Sequence, residues 1–482
     1  MGAQPRAEGA FDDVAFHYAQ RIGGGLCGHS SEEYHVYMKR RTFAGSVTAA
    51  MAAGTAADAA PAGAAAAAGS GKLALHGGAP VHTAKWPSWP RFNQLEEKAL
   101  LDVLRSGHWG RGNGGTVSRF EAEYGRLLGA PHVVATANGT SALIASLGAM
   151  GIGPGDEVIV PPYTFVATVN AVLMHRALPV FADSDLETFQ IDPAKIEGQI
   201  TPRTRAIVPV HMAGGAANLD AILALGKRRN IPVLEDACQA HLGEWRGRKV
   251  GTLGAAGCFS FQASKNLNSG EGGAVCTNDA ALAENVYTYH TNGRSRQAGG
   301  DFSYRQTGAN LRLTEFQAAL LLAQMTRLEE QSKLRESNAA YLSKMLNEIP
   351  GVKPVKNYEG CTRSAWHLYM FRVENEAFAG VGKDLLLKAL QAEGVPVSGG
   401  YKPLNKEPFL ANEFRSKYWA ALHGEREMRT WAERNECRVN DRLCGQAMWL
   451  TQTMLLGTRE DMEHVAGALR KVQARAADLK RG

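Results

Sequence analysis

From Leu95 onward the apolar residues follow two rhythms that take turns. LEEKALLDVLRSG, Leu95 to Gly107, places leucine and valine at helical spacing and ends on a glycine, which predicts a helix and its stop. After the glycine-rich loop HWGRGNGG, a second helix is predicted through Phe120 to Leu128. Short unbroken apolar runs then alternate with helical segments. Val133 to Ala137 reads as a buried strand and Ser141 to Met150 as the helix after it, with Asn138, Gly139 and Thr140 in the turn. A further strand ends at Pro161, followed by Tyr163, Phe165 and a helix. LPVFADSD and TRAIVPVHMAG supply two more strands, the second ending at His211, and Val233 and Leu234 lead a fifth into Glu235 and Asp236. This alternation predicts an α/β fold with a mainly parallel sheet wrapped by helices.

GCFSFQASKNLNSGEGGAVCTND then reads as strand, loop and strand. Leu311 to Ile349 is one long helical tract, expected to carry the chain into a smaller C-terminal lobe. From about Gly351 that lobe shows strands in AWHLYMFRV and VPVSGGY and helices in KDLLLKALQAEG and REDMEHVAGALRKVQARAADL. The expected division is a leader over 1–71, a large domain over 72–330 and a small α/β domain over 331–482. No internal repeat is found.

Composition narrows the class. Hydrophobic residues make up 45% and charged residues 21%, which describes a soluble globular protein with a large core. The net charge of +6 comes from 53 basic and 47 acidic residues spread along the chain, so it reads as a mixed solvated surface rather than a nucleic-acid face. Cys27, Cys238, Cys258, Cys276, Cys361, Cys437 and Cys444 are odd in number and show no CxxC pairing, which argues against a cysteine zinc site and a disulfide framework. No metal is expected. No apolar run is long enough for a membrane span.

The leader stands apart. From Met38, which reads as an alternative start, it runs MKRRTFAGSVTAAMAAG, with Arg40-Arg41 and Phe43 before an alanine-rich stretch. This resembles a twin-arginine export signal with a small-residue cleavage site at Ala57-Asp58-Ala59; a low-complexity leader on a cytoplasmic protein is the other reading.

Ligands of such sheets bind beyond the carboxyl ends of the strands. The NGTS turn, Phe165, His211 and Asp236 all fall at such ends, each with an ordinary reading beside the chemical one. NGTS is a helix cap or an anion site. Phe165 is a core aromatic or a platform for a flat ring. His211 is a satisfied strand-end histidine or a site residue, and Asp236 is a strand-end carboxylate or the partner of a protonated ring nitrogen. The segment SFQASKNLNSGEGGAV decides among them. It sets Lys265 between Ser260, which can bind an anion, and the glycines Gly270 to Gly273, about 30 residues after Asp236. An amine nucleophile beside anion-binding groups predicts a Schiff-base lysine for pyridoxal 5'-phosphate.

NGTSAL, VIVPPYTFVAT, VPVHMAG, EDACQAHLGEWRGRKVGTLG, SFQASKNLNSGEGGA, ANLRLTEFQAAL and AWHLYMFRV together resemble the DegT/DnrJ/EryC1/StrS family of pyridoxal-phosphate aminotransferases of fold type I, over about Leu73 to Leu479. The resemblance implies that Lys265 is the covalent cofactor lysine and catalytic base, that Asp236 pairs with the pyridine nitrogen and Gln239 with the ring oxygen, and that Phe165 stacks on the ring. It implies that Gly139, Thr140 and Ser260 hold the phosphate. It further implies a homodimer with shared sites, in which Asn292 of HTNGR reaches the other subunit's phosphate and Asn310 and Arg312 lie near by. Dehydratase relatives have histidine where this chain has Lys265, so transamination is expected, from glutamine or glutamate to a small-molecule keto-sugar or keto-cyclitol, with no nucleic-acid or membrane partner. LALHGGAPVHTAKWPSWP and CRVNDRLCGQAMWLTQTMLLG resemble the cyclitol and aminohydroxybenzoate synthase branches more than the nucleotide-sugar enzymes. Two readings stand beside it: an exported, non-catalytic carbohydrate-binding protein on the same fold, and a dehydratase or aromatising enzyme.

Overall fold

The structure, a computed structural model, describes residues 71–296 and 303–481. The leader features at Arg40-Arg41 and Ala57 to Ala59, and Cys27, lie outside the described residues. Seven strands build the main sheet: β1 His132–Thr136, β2 Glu157–Val160, β3 Leu178–Phe181, β4 Thr204–Ile207, β5 Leu234–Asp236, β6 Ala256–Ser260 and β7 Gly273–Thr277. β2 lies parallel to β3 and β4, and β5 parallel to β6. Parallel bridges at Ile207–Val233 and Val210–Asp236 join β4 to the β5 edge. The order is therefore β1-β7-β6-β5-β4-β2-β3.

β7 alone runs antiparallel to both neighbours, β6 and β1. The loop after β6 forms no helix and is closed on itself by backbone hydrogen bonds such as Phe261 N–H to Gly272 O, so the chain turns straight back. Gly273 opens β7, and a Cβ there would lie 2.3 Å from the Asn138 carbonyl oxygen, so only glycine lets β7 pass the start of the helix Gly139–Ala149 that follows β1. β2, β3 and β6 are buried along their whole length, as strands covered on both faces are. β3 is apolar throughout, and β2 is apolar after Glu157, whose buried carboxylate is paired with Arg203 and Arg434.

Thr314 and Gln317 form a reciprocal cap that starts the long helix Glu315–Asn347. Its first half, with Ala318, Leu321 and Leu328, packs into the core of the main sheet; its second half, with Ala339, Leu342 and Leu346, belongs to the core of the smaller lobe. The helix is continuous through position 330, so the two cores change hands without a break in the chain. The smaller lobe holds an antiparallel sheet of β8 Val352–Pro354, β9 Leu368–Val373 and β10 Ala447–Thr451, with β9 central. VPVSGGY contributes only a single bridge, Ser398 to Trp449, and not the strand its pattern predicts. Its glycines account for this, since Gly400 takes φ +77°, outside strand geometry.

Two segments cross between the cores. Leu73, Val81 and Trp86 pack on the smaller lobe, while Leu404, Leu410, Trp419 and Trp431 pack against the core of the main sheet. Among the described residues no helix is long and apolar enough to cross a membrane, and all six cysteines are free.

Candidate active site

Lys265 sits in the loop between β6 and β7, and that loop is closed by its own backbone. Phe261 N–H donates to Gly272 O at 2.7 Å, Ala263 N–H to Gly270 O at 2.8 Å and Lys265 N–H to Gln262 O at 2.8 Å. The lysine is thus presented from a fixed frame. Its Nζ lies 3.4 Å from His367 Nε2. Burial lowers the amine below its ordinary value, against the opposing influence of Cys238 and Asp236. Burial likewise pushes His367 well below the imidazole range, with the Lys265 charge adding to it. Two basic nitrogens therefore face each other, each made less basic by burial. His367 Nδ1 is 3.3 Å from Asn266 Oδ1, and Asn266 donates its amide to Ala365 O at 2.7 Å, which fixes the imidazole from behind.

β5 ends in two carboxylates on opposite faces, because side chains alternate along a strand. Asp236 turns to the lysine side, where Oδ2 accepts from Thr168 Oγ1 at 2.8 Å and Oδ1 from Cys238 N–H at 3.2 Å. Glu235 turns away and is fully buried. It accepts from Gly251, Leu253 and Gly254 N–H at 2.7, 2.8 and 2.6 Å and lies 2.9 Å from His211 Nε2. Burial alone would raise its pKa, but His211 and the backbone donors reverse that and hold it below the usual range. His211, whose Nδ1 also accepts from Ala217 N–H at 3.1 Å, is therefore the satisfied histidine of its two readings.

Gln239 Oε1 accepts from Ala213 N–H at 2.8 Å, and its amide donates to Tyr401 Oη at 3.3 Å. Phe165 is 57% exposed, which discards the core-aromatic reading and leaves a ring face open at the head of its helix. The helix Gly139–Ala149 is capped by Asn138, whose Oδ1 accepts from Ser141 N–H at 2.8 Å. The first-turn N–H groups of Gly139 and Thr140 have no intrahelical acceptor. The cap and the anion site are therefore compatible rather than alternatives. A Cβ on Gly139 would fall 2.6 Å from Ser260 Cβ and 2.9 Å from Cys238 Sγ. The missing side chain thus brings the helix terminus flush against the Ser260 hydroxyl.

Lys265, Asp236, Ser260, Gly139, Thr140 and Gln239 come from five separate elements and meet at the carboxyl ends of β5 and β6. Asn292 does not join them within the chain. It is exposed at φ +56° on the turn after the helix Ala280–His290, with its N–H on Ala309 O at 3.0 Å. Arg312 Nε donates to Asn310 Oδ1 at 2.9 Å beside that turn. Among the described residues no hydrogen bond links these three side chains to the lysine site.

The sequence reading did not single out His367, Tyr401 or Trp89. Trp89 donates its indole N–H to Ala263 O at 2.9 Å, two residues before the lysine. His367 carried a faint signal, a lone histidine at the head of the apolar run LYMFRV. Tyr401 and Trp89 carried none, since their partners lie 162 and 174 positions away.

A buried amine of lowered pKa, a carboxylate at the neighbouring strand end and a helix-terminus anion cradle are what pyridoxal phosphate needs in order to be held at its aldehyde, ring nitrogen and phosphate. With this sheet they define a pyridoxal-phosphate-dependent enzyme of fold type I. The profile of the DegT/DnrJ/EryC1/StrS aminotransferase family matches residues 90–470. The chain belongs to that family and is a pyridoxal-phosphate-dependent aminotransferase. It is 38% identical over 422 residues to an L-glutamine:2-deoxy-scyllo-inosose aminotransferase of Streptoalloteichus tenebrarius, covering 85% of this chain and 99% of that one. It is 39% identical over 421 residues to the enzyme of the same name from Streptomyces paromomycinus, covering 84% and 99%. Among solved structures, 3-amino-5-hydroxybenzoic acid synthase superposes with a TM-score of 0.74 at 32% identity, covering 82% of this chain and 100% of that one.

Proposed function

We propose that the enzyme moves an amino group from L-glutamine to the carbonyl of a cyclic polyol, a keto-cyclitol, with a keto-sugar as the broader acceptor class. The observation that carries the chemistry is the Lys265 amine, lowered in pKa by burial and set 3.4 Å from His367. When bound, the cofactor supplies an aldehyde and an electron-withdrawing ring. Lys265 is the residue that would hold that aldehyde. With its basicity lowered by burial, its Nζ would take the proton from the donor's α-carbon and return one, as general base and general acid. His367 keeps a second nitrogen within reach of Nζ and positions it. Asp236, fixed by Thr168 and the Cys238 amide, holds the ring nitrogen protonated. Gln239 orients the ring oxygen, and the open face of Phe165 stacks on the ring. Gly139, Thr140 and Ser260 hold the phosphate. A second copy of the chain supplies Asn292 to that phosphate in a homodimer.

The choice of glutamine and a cyclitol is supported by the names of the relatives at 35–39% identity. It is tested by assaying keto-inositols and nucleotide keto-sugars side by side, each with L-glutamine and with L-glutamate. Turnover of keto-inositols with glutamine is expected. Turnover confined to nucleotide keto-sugars would overturn the acceptor, and a product that has lost water without gaining nitrogen would replace transamination by dehydration.

A further inference from the structure

A second cluster of ligand-type side chains lies outside the lysine site, where the segment before the first helix crosses the smaller lobe. His82 is buried there. Its backbone N–H donates to Glu393 O at 2.9 Å, and its ring stacks on Trp86 with centroids 4.2 Å apart. Its Nε2 lies 3.0 Å from Asp461 Oδ1. Asp461 stands in the first turn of the helix Arg459–Ala474, where its other oxygen, Oδ2, accepts from Thr458 N–H at 2.7 Å and Thr458 Oγ1 at 3.0 Å. His464 follows three positions later, on the same helix face. Its ring meets the His82 ring edge-to-face at 5.4 Å. One ligand atom from each of the three residues lies within 4.8 Å of the other two.

An ordinary histidine–carboxylate hydrogen bond accounts for His82 and Asp461. It does not account for His464, whose Nδ1 is buried with no hydrogen-bond partner. We infer that His82, Asp461 and His464 form a binding site for a single divalent cation of the zinc class, with solvent completing the shell. Two imidazoles and one carboxylate suit zinc and its neighbours, whereas magnesium and calcium seek oxygen donors alone. A 3.0 Å separation between His82 Nε2 and Asp461 Oδ1 would place both about 2.0–2.2 Å from one ion at an angle of roughly 90°, as in a shell expanded beyond four ligands by solvent. Asp461 is already oriented by Thr458 and His82 by Trp86, so the site has the outer support that metal ligands need. The cysteine pattern argued against a zinc site, but it has no bearing on a set built from histidine and aspartate. The site joins the segment around His82 to the C-terminal helix, and seven residues on the same segment delivers Trp89 to the Ala263 carbonyl beside Lys265.

The test uses the full-length, cofactor-loaded protein, stripped with a chelator and titrated with Co²⁺, read at wavelengths beyond the cofactor's absorption. One equivalent of Co²⁺ per chain with ligand-field bands, displaced by Zn²⁺, and a melting temperature raised by Zn²⁺ are expected. His464→Ala leaves the Asp461 cap in place and should keep the cofactor band and the metal-free melting temperature while losing the Co²⁺ bands. His82→Asn should lose them too. Failure of the native protein to bind one equivalent, or undiminished binding in His464→Ala, would overturn the inference.

Discussion

Two residues of the lysine site have effects that can be separated from catalysis. Lys265 has a lowered pKa in the folded chain, so between that value and its ordinary 10.5 the unfolded state binds the extra proton. Stability of the cofactor-free protein should therefore gain from rising pH across that window. Lys265→Met removes this gain, and denaturant titrations of both proteins at several alkaline pH values should show a shallower rise in the variant. If Lys265 is the acid–base group proposed above, Lys265→Ala should lower turnover of the loaded enzyme by about 10²- to 10⁴-fold, as loss of a positioned acid–base group does. Gly139 is a steric case. A methyl group there meets Ser260 and Cys238 side chains inside 3 Å, so Gly139→Ala should cost about 1–3 kcal/mol and weaken retention of the cofactor, measured by the visible absorbance remaining after dialysis.

At the scale of elements, β5 divides its labour between adjacent residues. Asp236 faces Thr168 and the Cys238 amide on the lysine side, while Glu235 ties the strand to the turn at Gly251 to Gly254 and to His211. Glu235→Gln replaces a four-way acceptor by a group that must also donate, and loss of the charged hydrogen bonds should cost roughly 1.5–3 kcal/mol in urea denaturation. Because Glu235 is held below its ordinary 4.5, its stabilisation is complete above that pH and fades as pH falls through the folded value. The variant should show a weaker acid dependence than the native protein. The strands and helices of the main sheet were legible because each carries its own rhythm: unbroken apolar runs for β2 and β3, a glycine stop after Ser106, a capping Thr314 before the long helix. β10 was missed because AMWLT is short and follows a charged stretch, and VPVSGGY was over-read because its glycines turn the backbone out of strand geometry. The candidate site was legible where ligand chemistry is local in sequence, as around Lys265 and Asp236. It was illegible where the fold brings in distant side chains, as with Tyr401 and Trp89.

Over the whole molecule, the turn at Asn292 is exposed, and among the described residues its side chain makes no hydrogen bond to the lysine site of its own chain. If each lysine site is completed by the Asn292 turn of a second copy, Lys265→Ala and Asn292→Ala are both impaired alone, yet mixing and reassociating them should restore activity through a hybrid dimer with one native site. Absence of any recovery, with dimers of twice 51.8 kDa present in light scattering, would remove Asn292 from the site.

The segment around Leu73 has a practical consequence for processing of the chain. Glu393 is buried and accepts from Ala74 N–H at 2.8 Å, Val81 N–H at 3.1 Å and Lys471 Nζ at 2.8 Å, while Lys471 also donates to the Ala79 carbonyl at 2.7 Å. A peptidase cutting near Ala59 spares all of these partners. One cutting past Val81 leaves the buried Glu393–Lys471 ion pair without the Ala74 and Val81 N–H donors and the Ala79 acceptor that complete it. The permissible cleavage frontier therefore lies before Leu73, and trimmed forms beginning beyond it should be recovered as aggregates rather than as enzyme.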